Sequence, residues 1–82
     1  MKKLHEIEKV VFSNDKILLV VDGAEYSFDL FKISTRLARA DRNERENFQV
    51  SPCGYGIHWP LIDEDLSIDG LVSNARKLRG KE

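Results

Sequence analysis

The chain has 82 residues, 41% of them apolar and 33% charged, a composition that supports one packed core and excludes a largely disordered polymer. Its 13 basic and 14 acidic side chains leave a net charge of -1, which excludes a global field drawing it onto nucleic acid or anionic lipid. Cys53 is the single cysteine, which excludes an internal disulfide and any zinc site built on several thiolates of one chain.

Residues 1–82 are expected to form a single domain. Met1-Lys2-Lys3 has no apolar run behind it, and no later stretch is long enough to cross a bilayer, so the expected setting is the cytoplasm. Over residues 6–13, Ile7, Val10, Val11 and Phe12 predict a half-buried strand, and Ser13-Asn14-Asp15-Lys16 reads as a turn. Residues 17–21 are continuously apolar, as in a central strand covered on both faces. Asp22-Gly23 suits a type I′ hairpin turn, after which Ala24, Tyr26 and Phe28 alternate with Glu25 and Ser27. A three-stranded meander follows from these signals.

Asp29 is placed to cap a helix whose apolar face is Leu30, Ile33, Leu37 and Ala40. Asp41-Arg42-Asn43-Glu44-Arg45-Glu46-Asn47 has no apolar residue and is either a last polar turn of that helix or an exposed loop. Phe48-Gln49-Val50-Ser51 predicts a fourth strand stopped by Pro52. Gly54-Tyr55-Gly56 suggests a tight turn or bulge, and Tyr55, Ile57 and Trp59 alternate as a fifth strand with its aromatics inward, ended by Pro60. Leu66, Ile68, Leu71, Val72, Ala75 and Leu78 mark one face of a last helix. Ser67 is its predicted cap, Asp69 suits its positive end, Arg76, Lys77 and Arg79 its negative end, and Gly80 its stop. The expected fold is α+β: one antiparallel meander sheet of four to five strands with two helices packed on it.

Taken together, residues 26–30, Asn47-Phe48-Gln49-Val50-Ser51-Pro52, Gly54-Tyr55-Gly56-Ile57-His58-Trp59-Pro60 and Asp63-Glu64-Asp65-Leu66-Ser67-Ile68-Asp69-Gly70-Leu71 resemble the bacterial DUF2442 family, a domain of unknown function. The blocks Gly56-Ile57-His58-Trp59-Pro60 and Asp63-Glu64-Asp65-Leu66-Ser67 are the most specific parts of the resemblance. It implies a small α+β domain that occurs alone or joined to a helix-turn-helix domain, often encoded beside another short protein in an arrangement like a toxin-antitoxin pair. The chain departs from the fused members in ending soon after its last predicted helix, so direct operator binding is not expected. The resemblance brings no established catalytic residues with it.

His58 with Asp63, Glu64 and Asp65 is a candidate metal or acid-base cluster, since an imidazole and carboxylates suit either task. Three adjacent acids cannot all reach one ion without a bent loop, and acids before a helix are already accounted for by its dipole. Trp59 is a candidate interface anchor, against which stands the large share of a small core that one indole supplies. The Trp59-Pro60 bond is a candidate cis peptide. Arg36, Arg39, Arg42 and Arg45 recur every three residues and form a basic stripe if the helix runs that far, although Asp41, Glu44 and Glu46 largely neutralise it. Cys53, between Pro52 and Gly54, lacks a base placed to activate it and reads as a turn cysteine.

The resulting expectation is a non-enzymatic protein-protein interaction module without a cofactor, an antitoxin-like member of a two-protein system. It would bind a partner encoded nearby, or a second copy of itself, through an open strand edge or residues 36–45, with Arg36, Arg39, Arg42, Arg45 and Trp59 as candidate contacts. Two alternatives belong to other classes: a metal-dependent or acid-base enzyme centred on His58, Asp63 and Asp65, and a nucleic-acid-binding protein using residues 36–45.

Overall fold

The computed structural model describes residues 4–79 of the chain, with side chains through residue 75. In its first sheet, β1 (Ile7–Ser13), β2 (Lys16–Val21) and β3 (Ala24–Asp29) run antiparallel in sequence order. Both connections are two-residue turns, closed by the pairs Ser13 with Lys16 and Val21 with Ala24. Asp22 and Gly23 take φ values of 53° and 81°, the positive values at both central positions that a type I′ turn needs. On β2, Ile17, Leu19 and Val21 are fully buried while Leu18 and Val20 are half-buried. One face of the central strand is therefore sealed and the other partly covered, where the unbroken apolar run suggested two sealed faces.

Asp29 caps α1 (Leu30–Ile33) by accepting the Phe31 N–H at 2.9 Å. The single helix predicted next is broken at Ser34, which is extended (φ -163°, ψ 99°) and whose hydroxyl accepts the Leu37 N–H to cap α2 (Thr35–Ala38). Serine competes with helical backbone bonds in this way, and the same hydroxyl donates to Glu64. Of the predicted face, Leu30 and Leu37 are buried and Ile33 packs against the core, but the buried alanine is Ala38 and not Ala40, because the interrupted helix shifts the face. The polar run forms a helix of its own, α3 (Arg42–Glu46). Its capping box has the Asp41 carboxylate accepting the Glu44 N–H (2.8 Å) and the Glu44 carboxylate accepting the Asp41 N–H (2.9 Å).

The second sheet comprises β4 (Gln49–Val50), β5 (Gly56–Trp59) and β6 (Glu64–Ser67), with β5 central, and α4 (Ile68–Arg79) follows it. The expected single sheet with two helices is thus corrected: among the described residues the α+β chain has two three-stranded antiparallel sheets and four helices. Among the described residues no strand of one sheet is hydrogen-bonded to a strand of the other, and side chains fill the space between them. Trp59 is fully buried, edge-on to Phe12 with ring centroids 6.2 Å apart and tilted against Phe48 at 6.1 Å. This shared aromatic core unites the two layers without a ladder between them.

Two local expectations change as well. Leu66 belongs to β6, where it pairs with Ile57 and is buried, and the last helix starts at Ile68. Tyr55 precedes β5 and is 52% exposed, not turned inward. Ser67 does cap α4, accepting the Gly70 N–H at 3.1 Å. The parts assigned to Arg76, Lys77, Leu78, Arg79 and Gly80 at the far end lie outside the described side chains. No cis peptide occurs among the described residues, so Trp59-Pro60 is trans.

Candidate functional site

His58 and Asp65 stand directly opposite each other on β5 and β6, and opposed residues of an antiparallel pair share a face. His58 Nδ1 is 2.7 Å from Asp65 Oδ1. The two neighbouring acids go elsewhere. Glu64 projects to the other face and accepts from buried Ser34, while Asp63 occupies the connecting turn with φ 52° and its carbonyl accepts from Arg36 at 2.9 Å. Among the described residues no three His, Cys, Asp or Glu side chains come together as a group able to hold a metal ion. The His58, Asp63 and Asp65 cluster is therefore dispersed, leaving one solvent-exposed pair of the kind worth about 0–1 kcal/mol.

The four arginines do not form a stripe, because α2 ends at Ala38 and α3 starts afresh at Arg42. Arg36 reaches the β5–β6 turn, Arg39 ends α2 on the exposed surface, and Arg42 pairs with Glu46 at 3.1 Å one turn along α3. Arg45 is different. Its guanidinium donates to the carbonyls of Leu37 (3.0 Å), Ala38 (2.9 Å) and Asn14 (2.6 Å) and sits 5.5 Å over the Phe12 ring. It satisfies the Ala38 carbonyl at the end of α2 and adds a charged donor to the Leu37 carbonyl, which also accepts the Ala40 N–H, and it ties both to the β1–β2 turn. Trp59 completes the arrangement from inside by donating its indole N–H to the Arg45 carbonyl at 2.9 Å. A groove opens between β1 and α3, lined by Val10, Phe12, Asn14, Arg42, Arg45 and Phe48 among others.

A third constellation was not singled out by sequence reasoning. His5 Nδ1 lies 2.7 Å from Asp22 Oδ2 and Nε2 lies 3.0 Å from Asp69 Oδ1, with the imidazole only 11% exposed. The hydrogen bond to Asp22, then that to Asp69, raises the His5 pKa above its ordinary value, and burial opposes them only in part. The regular register of the β1–β2 hairpin would set Ile7 opposite Asp22; the bulge between Ile7 and Lys9 shifts the strand by one residue, pairs Ile7 with Val21 and brings His5 to the Asp22-Gly23 turn. Asp69, far along the chain, left no local signal. Cys53 serves this region through its backbone: its carbonyl accepts the Leu4 N–H at 2.7 Å, while its thiol lies 3.9 Å from the Ser51 hydroxyl.

Comparison with known proteins adds a family and a fold. The model of the family described as Protein of unknown function (DUF2442) matches residues 7–77. A crystal structure of a protein of unknown function from Rhodospirillum rubrum ATCC 11170 is similar with a TM-score of 0.67 and 22% identity, covering 85% of this chain and 87% of that one. No curated protein matches the sequence. Among the described residues no helix is long and apolar enough to cross a membrane.

Proposed function

The chain belongs to the DUF2442 family, and we propose that it acts as a non-enzymatic interaction module that takes an extended segment of a partner protein along the open edge of β1. The observation that carries this reading is the seven-residue edge strand β1, hydrogen-bonded to β2 alone among the described strands. In an antiparallel ladder alternate residues direct N–H and C=O away from the partner strand. An unpaired row of this kind accepts a further strand.

The bulge between Ile7 and Lys9 irregularises the start of the edge and leaves residues 9–13 as its regular part. Beside them the groove offers Phe12 and Phe48 to apolar side chains at alternate positions of the incoming segment. The other edge strand of this sheet, β3, borders a cavity shared with α1 and α4. The partner favoured by the family resemblance is a short protein encoded beside this one, in a cytoplasmic, toxin-antitoxin-like pair.

Val11→Lys tests the reading, because Val11 is 38% exposed on β1 and an edge lysine opposes strand addition. Titration with the product of the adjacent gene should show at least a tenfold weaker Kd for the variant, about 1.4 kcal/mol, at an unchanged urea midpoint. Equal affinity of both forms would refute the edge, and absence of any complex at about micromolar concentration would refute the partner. Self-association abolished by the substitution would make the occupant a second copy of the chain.

A further inference from the structure

His5 lies in a strap, residues 4–6, that crosses the turn before β5 and enters β1. The strap is held by the Leu4 N–H to the Cys53 carbonyl (2.7 Å) and by the Glu6 N–H to Asp22 Oδ1 (2.8 Å). The His5 ring reaches in two directions from it, to the β2–β3 turn through Asp22 and to the first turn of α4 through Asp69. Segments far apart in sequence thus meet at one imidazole.

We propose that His5 is a protonation-dependent clasp: as an imidazolium it fastens the strap to both the β2–β3 turn and α4, and loss of its proton releases one of these attachments. The geometry specifies the charge state. A neutral imidazole has one N–H and one lone pair, so in either tautomer one ring nitrogen would turn its lone pair toward a carboxylate. Only the imidazolium donates to both Asp22 and Asp69.

The groups around the ring act in the same sense. The β2–β3 turn supplies Asp22 and α4 supplies Asp69, while Glu8 of β1 accepts the Gly23 N–H of the same turn at 2.8 Å. The turn beneath the strap contributes Cys53, whose carbonyl is engaged. The two side chains in contact with the ring are both acidic and favour its protonated form. Its raised pKa, caused first by Asp22 and second by Asp69, accords with the geometry.

The sign of the effect follows from linkage. A folded-state pKa above the ordinary histidine value of 6.5 means that the clasp contributes its full stability below that pH and loses it as pH rises through the folded value. The strap is therefore closed in mildly acidic solution and opens toward alkaline pH. The device does not depend on which partner β1 receives.

The test is an NMR titration of the full chain from about pH 5 to about pH 9, following the His5 ring nitrogens and the protection factors of the Leu4 and Glu6 amides. Both ring nitrogens should be protonated at the acidic end, the midpoint should lie above 6.5, and amide protection should fall in the same transition. Asp69→Asn should lower that midpoint while the sheet amides stay protected, and His5→Gln should remove the pH dependence of strap protection. A His5 midpoint at or below 6.5, one unprotonated ring nitrogen at the acidic end, or strap amides indifferent to the His5 transition would overturn the proposal.

Discussion

The seat of the N-terminal strap allows a sharp test, because two glycines with similar backbones differ in what surrounds them. Gly54 has φ +72°, and a Cβ built there would lie 1.9 Å from the His5 carbonyl oxygen and 2.8 Å from its carbon. Gly23 has φ +81° with nothing within 4 Å of the same position. Placing alanine in a left-handed conformation costs about 1–2 kcal/mol, and Gly23→Ala should cost no more than that. At Gly54 the obstructing atoms are backbone, so no rotamer relieves them and the strap must lift. Lifting it breaks the Leu4 and His5 N–H bonds to the Cys53 carbonyl, at about 1 kcal/mol each. Gly54→Ala should therefore destabilise by roughly 3–4 kcal/mol, a large part of the 5–15 kcal/mol typical of a small domain. Urea unfolding of both variants at mildly acidic pH, where the clasp is closed, measures the difference directly. Equal losses, or a Gly54→Ala protein whose Leu4 and Glu6 amides remain protected, would refute the packing of the strap against this turn.

Other substitutions separate structural from superficial polar groups. Arg45→Ala should cost about 2–3 kcal/mol by leaving carbonyls at the end of α2 without their charged donor, whereas Arg42→Ala, on the solvent side of α3, should leave the urea midpoint unchanged. Ser34→Ala removes the cap of α2 and the donor to Glu64 together, so a loss of about 1–2 kcal/mol is expected in the same assay. A neutral result would show that the helix break at Ser34 does not depend on its hydroxyl.

The elements that the sequence displayed clearly are those decided by nearest neighbours. The alternation of Ala24, Tyr26 and Phe28, the Asp22-Gly23 turn and the caps at Asp29 and Ser67 depend on residues within a few positions of one another, and the structure has all of these. What stayed hidden depends on distant partners. The period-two pattern of Asp65, Leu66 and Ser67 was absorbed into the helical spacing of the residues after it, because a four-residue strand is too short to declare its period. The break at Ser34 is fixed in part by Glu64 across the fold. The division into two sheets follows from Trp59 filling the space between them. Of the site residues, only the His58–Asp65 pair was both anticipated and assembled. The arginine repeat concealed four different environments, since sequence period alone does not reveal where a helix stops.

Trp59 links the core to the proposed docking edge without being exposed on it. Its ring packs against Phe12 and Phe48, two residues of the β1 groove, and its indole N–H holds the carbonyl of Arg45, a third. The wall of the groove is thus positioned from inside. Trp59→Phe would keep an aromatic ring but remove the donor and part of the volume, at about 1–3 kcal/mol for the unsatisfied carbonyl together with a cavity penalty. If the groove is held in this way, the variant should weaken partner binding as well as lower the urea midpoint, with chemical-shift changes running through Phe12, Arg45 and Phe48. Val11→Lys should weaken binding alone. A Trp59→Phe protein that is destabilised yet binds the partner as tightly as the parent would show that the groove is not set by the core, and that strand addition proceeds through the backbone edge without the aromatic wall.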